Sequence, residues 1–188
     1  MTTQLGVPLR EYTTLRLGGP AGRFVTATTD AELAAALATG EPVLLLGGGS
    51  NLVIGDDGFD GTVVRIASRG YALDGDLLTV AAGEDWDEVV ARTVADGRGG
   101  LECLSGIPGL VGATPVQNVG AYGVEIADLL DGVDLLDRRT GEVRAVAAGG
   151  LGLRYRTSVL KNTDAAVVLR VRLRLRPDGL SMPVRYGE

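Results

Sequence analysis

Arg156, in the run Tyr155-Arg156-Thr157-Ser158, is the residue whose type points most directly to chemistry. Its guanidinium stays charged at any working pH, so it gives up no proton usefully. It can grip a carboxylate through two parallel N–H bonds and stabilise negative charge as it develops. A surface arginine that caps a loop fits the same residue, and the residues alone leave both readings open. Tyr155 reads as a packing or orienting residue rather than an acid. The chain has no histidine. That removes a histidine metal site, a Ser-His-Asp triad and a histidine base, and no metal is expected. Cys103 is the only cysteine; it reads as a packed thiol rather than a nucleophile.

Two uncharged glycine-rich stretches offer a second kind of chemistry. Ser105–Gly123 holds no Asp, Glu, Lys or Arg and carries Gly106, Gly109, Gly112, Gly120 and Gly123, with Pro108 and Pro115 between them. It is too polar and too broken for a membrane helix, and too rich in Ile, Val and Leu for a flexible linker. Buried irregular backbone needs partners for its N–H and C=O groups, and a ligand with many acceptors would supply them. Glycine allows close approach and positive φ, and Pro108 can open a short helix that faces an anion. The stretch reads as a bed for a large, partly anionic, partly flat ligand; a structural turn is the alternative.

The second stretch, Gly47-Gly48-Gly49-Ser50-Asn51, follows the apolar run Val43–Leu46. A glycine run after a strand gathers N–H groups into a concavity suited to phosphate. It lacks the ending of a P-loop, and Leu52 stands where the dinucleotide fingerprint needs its third glycine. On its own it is a tight turn as often as a phosphate site, with Asn51 orienting the loop.

The elements that must position these stretches alternate early and become strand-rich late, which is the α+β class. Thr13–Leu17 and Arg23–Ala27 read as short strands after an irregular arm, Met1–Arg10. Thr29 and Glu32 have capping-box spacing for an Ala-rich helix ending near Gly40. Val43–Leu46, Thr62–Ile66 and Leu77–Ala82 read as strands. Asp85 opens a helix whose stripe Trp86, Val89, Val90 and Val94 is core. Leu129–Leu136 and Val143–Val146 flank a turn at Arg139–Glu142. Val167–Leu175 alternates apolar residues with Arg170, Arg172 and Arg174, a strand with one wet face. The arginine row reads as solvated, with a phosphate track as the minority reading.

Bulk properties narrow the class. A chain of 188 residues, 45% apolar, supports one domain or two small lobes. A net charge of −6 argues against nucleic-acid binding. The N-terminus lacks a signal-peptide pattern and no window spans a bilayer, so a cytoplasmic location without membrane contact is expected.

Taken together, Thr13–Ala21 (TTLRLGGPA), Leu46–Asn51 (LGGGSN), Ser105–Gly123 and Tyr155–Ser158 (YRTS) resemble the UDP-N-acetylenolpyruvylglucosamine reductase family, in order and spacing along nearly the whole chain. The long central motif is the specific one. The resemblance implies the vanillyl-alcohol-oxidase/PCMH-type fold of two α+β subdomains, 1–70 and 71–179, with FAD held non-covalently between them. Residues 180–188 would begin a connection to a third, substrate-binding domain, which in the family supplies a serine proton donor. The implied reaction is NADPH-dependent reduction of an enolpyruvyl ether of a UDP-sugar, a step of peptidoglycan synthesis. The alternatives are a flavin-binding module without turnover and another oxidase of the same fold.

FAD suits both stretches. Its pyrophosphate needs backbone N–H groups, which Leu46, Gly47, Gly48, Gly49, Ser50 and Asn51 would provide. Its ring needs an apolar slot with few polar anchors. Ile107, Ala113, Thr114, Val116, Gln117 and Asn118 would form it. Ser105, Gly106, Pro108, Gly109, Gly120, Ala121 and Gly123 would complete the cofactor site, with Tyr122 lining the flavin or the substrate. The resemblance gives Arg156 the role of stabilising the enolate formed when hydride reaches the β carbon, with Tyr155 beside the substrate. Ser158 and Tyr155 are the nearby candidates for a proton donor by sequence, and neither matches the family's donor.

Overall fold

A computed structural model describes residues 1–38 and 40–183. The chain divides into two compact units, the first Met1–Arg69 and the second starting at Gly70.

The first unit is a four-stranded sheet with one helix. Its strands are β1 (Thr2–Leu5), β2 (Ala21–Ala27), β3 (Val43–Leu46) and β4 (Phe59–Ile66), in the order β1-β2-β4-β3. β1 runs antiparallel to β2, whereas β2 and β3 run parallel to β4. Helix α1 (Asp30–Leu37) buries Leu33, Ala36 and Leu37. Thr29 caps it by accepting the Glu32 N–H at 3.2 Å. The expected capping box forms only on that side. The Glu32 carboxylate reaches the N–H of Thr28 at 2.8 Å and its hydroxyl at 2.8 Å, one residue beyond the cap.

Two expectations in this unit change. The irregular arm contains β1, an exposed polar strand made by pairing rather than by pattern. Thr13–Leu17 is no strand: Arg16 has φ 57°, its N–H donates to Thr13 O, and the Thr13 hydroxyl donates to Leu17 O at 2.7 Å, folding the segment into a turn.

The second unit is built on a five-stranded antiparallel sheet of order β10-β9-β11-β6-β5. The strands are β5 (Tyr71–Asp74), β6 (Leu77–Ala81), β9 (Leu130–Asp137), β10 (Val143–Ala147) and β11 (Ala166–Arg174). A small hairpin, β7 (Gly120–Ala121) with β8 (Val124–Glu125), stands apart from that sheet. Asp85 caps α2 (Trp86–Ala95) by accepting the N–H groups of Asp87 and Glu88. Trp86, Val89 and Val90 are buried as expected, but the fourth member of the stripe is Thr93 at 1% exposure, and Val94 is 53% exposed. The spacing 86, 89, 90, 93 follows one face, and Val94 lies past its edge. The Trp86 indole N–H donates to Leu104 O at 2.9 Å, so the core contact also fixes the chain that enters the glycine bed. Cys103 packs against this core.

β11 keeps its alternation with one interruption. A register shift between Val168 and Arg170 buries Val167, Val168 and Leu169 in succession. Its arginines face carboxylates on β9: Arg172 and Arg170 pair with Asp134, and Arg174 pairs with Asp131 at 2.8 Å. The row is therefore a cross-strand ion-pair ladder, which leaves the phosphate-track reading without free cations on Arg172 and Arg174.

Candidate functional site

The residues singled out in the sequence fall into both units. In the first, β3 runs into Gly47–Asn51, which folds as a bend and turn. Gly49 is buried with φ 67°, and its carbonyl accepts the Thr14 N–H at 3.1 Å. A Cβ on Gly49 would stand 1.9 Å from Tyr12 O. The loop thus leans on Tyr12–Thr14 at a distance only glycine permits. Among the described residues, no protein group accepts from the N–H groups of Gly47, Gly48 or Gly49. Three successive donors without a protein acceptor are what a phosphate nest requires. The first unit also has a hollow of about 440 Å³ lined by Arg10, Arg16, Gly18, Gly19 and Asp56 among others. Its lining includes none of Gly47–Asn51, so it is separate from the nest.

In the second unit the glycine bed is largely satisfied by the protein itself. The Ser105 hydroxyl and the Gly106 N–H both donate to Asp87 Oδ1, each at 2.7 Å. These two bonds, the Ser105 one foremost, hold the Asp87 carboxyl below its ordinary value of 3.8. Pro108 opens no helix. The short 3-10 turn is Val111–Ala113, and its leading N–H groups donate to Glu84 O and Ala82 O. An anion has no helix terminus to meet there, because the neighbouring chain supplies the acceptors. Thr114 is buried and donates to Val111 O. Among the described residues, the N–H groups of Gly109, Leu110, Gln117 and Asn118 meet no protein acceptor, and neither does that of Gly123 in the hairpin turn. Ile107, Gln117 and Ala121 are half-buried, and Pro108, Ala113, Tyr122 and Gly123 are exposed.

The bed ends in the β7–β8 hairpin. Tyr122 and Gly123, at φ 54° and 79°, form its two-residue turn. Two left-handed residues match the twist of the flanking strands, and the second is the expected glycine. Tyr122 is 57% exposed at the tip.

Three bonds bring the Tyr155–Ser158 loop to this bed. Asn118 Nδ2 donates to Arg154 O at 3.1 Å, the Ser158 hydroxyl to Val116 O at 2.6 Å, and Arg156 Nη2 to Gly120 O at 2.5 Å. Arg154 and Thr157 exchange backbone bonds across the corner Tyr155-Arg156. Arg156 itself has φ 54°. A left-handed non-glycine residue costs about 1–2 kcal/mol, and such strain is tolerated where the surroundings fix it. Tyr155 is 79% exposed, with the Arg156 guanidinium 5.5 Å from its ring centre. Among the described residues no carboxylate pairs with Arg156, unlike the arginines of β11. It is a half-buried cation with donors to spare.

Ser158 is buried, and its only proton is held by Val116 O while its oxygen accepts the Leu160 N–H. That commits it to structure and removes it as a proton donor. Asp87 and Glu125, which organise the bed, were not singled out in the sequence. The Glu125–Asp128 spacing of a reciprocal cap was the available signal for the second; nothing local marks the first.

The model of the FAD binding domain family matches residues 21–147. The chain belongs to that family. Both donor-rich segments, Gly47–Asn51 and Ser105–Gly123, lie within the matched region. It is 65% identical over 192 residues to the UDP-N-acetylenolpyruvoylglucosamine reductase of Saccharopolyspora erythraea, covering 97% of this chain and 52% of that protein. The enzyme of the same name from Nocardia farcinica is 63% identical, covering 100% and 50%. The chain therefore spans about half the length of the curated relatives it matches. Among solved structures, UDP-N-acetylenolpyruvylglucosamine reductase from Thermus caldophilus superposes with a TM-score of 0.81 at 37% identity, over 95% of this chain and 64% of that one. A BBE-like 1 variant from Physcomitrella patens gives 0.63 at 17% identity, over 93% and 42%; that likeness concerns the fold alone. The fold is the α+β PCMH-type FAD-binding fold that the family resemblance implies. Among the described residues no helix is long and apolar enough to cross a membrane.

Proposed function

We propose that this chain is the FAD-holding part of a UDP-N-acetylenolpyruvylglucosamine reductase, which uses NADPH to make UDP-N-acetylmuramate for peptidoglycan in the cytoplasm. The observation that carries the proposal is Arg156: a strained, half-buried guanidinium tied to Gly120 O at 2.5 Å and, among the described residues, lacking a carboxylate partner. Its close relatives bear that enzyme name over the half of their length that this chain matches.

Bound FAD would supply the hydride chemistry and its relay from NADPH. The chain's own residues do the rest. The N–H groups of Gly47–Gly49 would hold the pyrophosphate. The N–H groups of Gly109, Leu110, Gln117 and Asn118 would meet polar edges of the ring, and Ile107, Ala113 and Val116 would supply apolar contact. Hydride addition to the β carbon of an enolpyruvyl ether places negative charge on the α carbon and its carboxylate. Arg156 meets that charge with the N–H groups Gly120 leaves free. Tyr122 and Tyr155, both exposed, border the substrate. The proton that ends the reaction comes from neither Ser158, whose hydrogen is committed to Val116 O, nor Arg156.

A visible spectrum of the purified chain with added FAD tests the cofactor reading. Acid precipitation should release all the flavin into the supernatant. Flavin retained on the precipitate, or none bound at any micromolar concentration, would overturn it. Flavin bleaching by NADPH under anaerobic conditions, followed by recolouring with the enolpyruvyl sugar nucleotide, tests the reaction.

A further inference from the structure

We propose that Asn118 is a positioning residue for Arg156: its buried carboxamide fixes the Arg154–Thr157 turn that carries the guanidinium to the glycine bed. The inference rests on Arg156 being the anion-stabilising group, and goes beyond it by naming what holds that group in place.

Asn118 is 1% exposed. Both protons of its amide nitrogen are used, one on Glu125 Oε2 at 2.7 Å and one on Arg154 O at 3.1 Å. Its oxygen accepts the Ala127 N–H at 3.1 Å. A ligand lying on the bed would find no open N–H on this side chain; the side chain faces inward, and only its backbone N–H is open to a ligand. Glu125 is locked in turn. Its carboxylate also accepts the Asp128 N–H, and its own N–H donates to Asp128 Oδ2 at 2.8 Å. The amide therefore has one orientation, with its second proton aimed at Arg154 O.

That carbonyl is the near end of the turn. It also accepts the Thr157 N–H at 3.0 Å, and the Arg154 N–H donates back to Thr157 O at 3.1 Å. Ser158, tied to Val116 O, fixes the far end. Between the two anchors Arg156 is held at φ 54°, a conformation it would leave if the near end were released. Asn118 is itself left-handed, at φ 46°, which asparagine adopts more readily than other side-chain-bearing residues. Its backbone and side chain both point to a placement made for this link.

The test is the pair of substitutions Asn118→Asp with Glu125→Gln. The new glutamine amide can donate to the new carboxylate, so the link between the two positions survives. Arg154 O loses its side-chain donor. Amide hydrogen exchange at Arg154 and Thr157 should accelerate at least about tenfold, the effect expected when one buried hydrogen bond is lost. Amides of α2 and β9 should keep their protection. In a preparation that turns over, kcat should fall, and adding Arg156→Ala should cost little more than Arg156→Ala alone. Unchanged exchange at Arg154 and Thr157 in the folded double variant would overturn the positioning role. Faster exchange with undiminished turnover would support the link and overturn the role given to Arg156. Should the double variant fail to fold, native-state exchange of the unaltered protein in a urea series decides. The Ala127, Arg154 and Thr157 amides should open together with one denaturant dependence. Thr157 exchanging tenfold or more ahead of Ala127 would refute the inference.

Discussion

Replacing Gly49 by alanine tests the nest through its tightest contact. The added Cβ would stand 1.9 Å from Tyr12 O, 2.9 Å from its carbonyl carbon and 3.0 Å from Thr13 Cα. All three are backbone atoms, so no side chain can swing away. The loop and the Tyr12–Thr13 segment must separate by about 1 Å, a shift of the kind that costs about 1–3 kcal/mol in a packed interior. Position 49 also sits at φ 67°, where a side chain costs a further 1–2 kcal/mol or so. Together these predict a loss of about 2–5 kcal/mol. At roughly 4–8 °C per kcal/mol for a unit of this size, the melting temperature of the first unit should fall by at least about 8 °C. The same displacement moves the Gly47–Gly49 N–H groups, so FAD affinity should drop by more than about tenfold at temperatures where the variant is still folded. Differential scanning calorimetry and flavin-fluorescence quenching read the two effects. Gly55→Ala is the control, because nothing lies within 4 Å of its Cβ position, and both readouts should stay near the parent values. A Gly49→Ala protein that melts within about 2 °C of the parent would refute the close-approach reasoning.

Further outcomes follow from the second unit. Asp87 has its carboxyl lowered by the Ser105 hydroxyl and then the Gly106 N–H. A depressed acid stabilises the fold above its unfolded value and loses that contribution as pH falls through the lower folded value. The melting-temperature gap between the parent and Asp87→Asn should therefore be full at neutral pH and close below about pH 4; a gap independent of pH would contradict this. Trp86→Phe should cost about 1–3 kcal/mol in urea unfolding, since Leu104 O loses its buried indole donor, and a neutral result would show the carbonyl finds another partner. Arg156→Ala should lower kcat for the enolpyruvyl substrate by about 10²–10³ with little effect on flavin reduction by NADPH, because the interaction is made with charge present only in the transition state. Stopped-flow absorbance separates the two half-reactions, and a slowed NADPH step alone would contradict the role.

Local patterns in the sequence made several elements legible. Asp85 capped its helix, Val43–Leu46 formed its strand, and the alternation through β11 placed its arginines on one face. Elements created by pairing were not legible. β1 is four exposed residues with no apolar rhythm, and β5 is four residues whose only local mark is the hairpin turn Gly75-Asp76 that pairs it with β6. At the site, the glycine stretches were visible by composition. Which of their N–H groups stay open was not, because that depends on acceptors supplied from afar: Asp87 on α2, and the Ala82 and Glu84 carbonyls. Asn118 shows the limit most sharply. Its place in an uncharged bed suggested a ligand anchor, while its three side-chain bonds all go to the protein.

Backbone amide spectroscopy during an FAD titration tests the central claim most directly, since the claim concerns particular N–H groups. Proton–nitrogen correlation spectra of the labelled chain should show the largest shifts at Gly47, Gly48, Gly49, Gly109 and Gln117, whose N–H groups meet no protein acceptor among the described residues. Gly106 and Gly112, already donating to Asp87 and Ala82 O, should move far less. Shifts centred on Gly106 and Gly112, or none at Gly47–Gly49 when FAD is bound, would contradict the account.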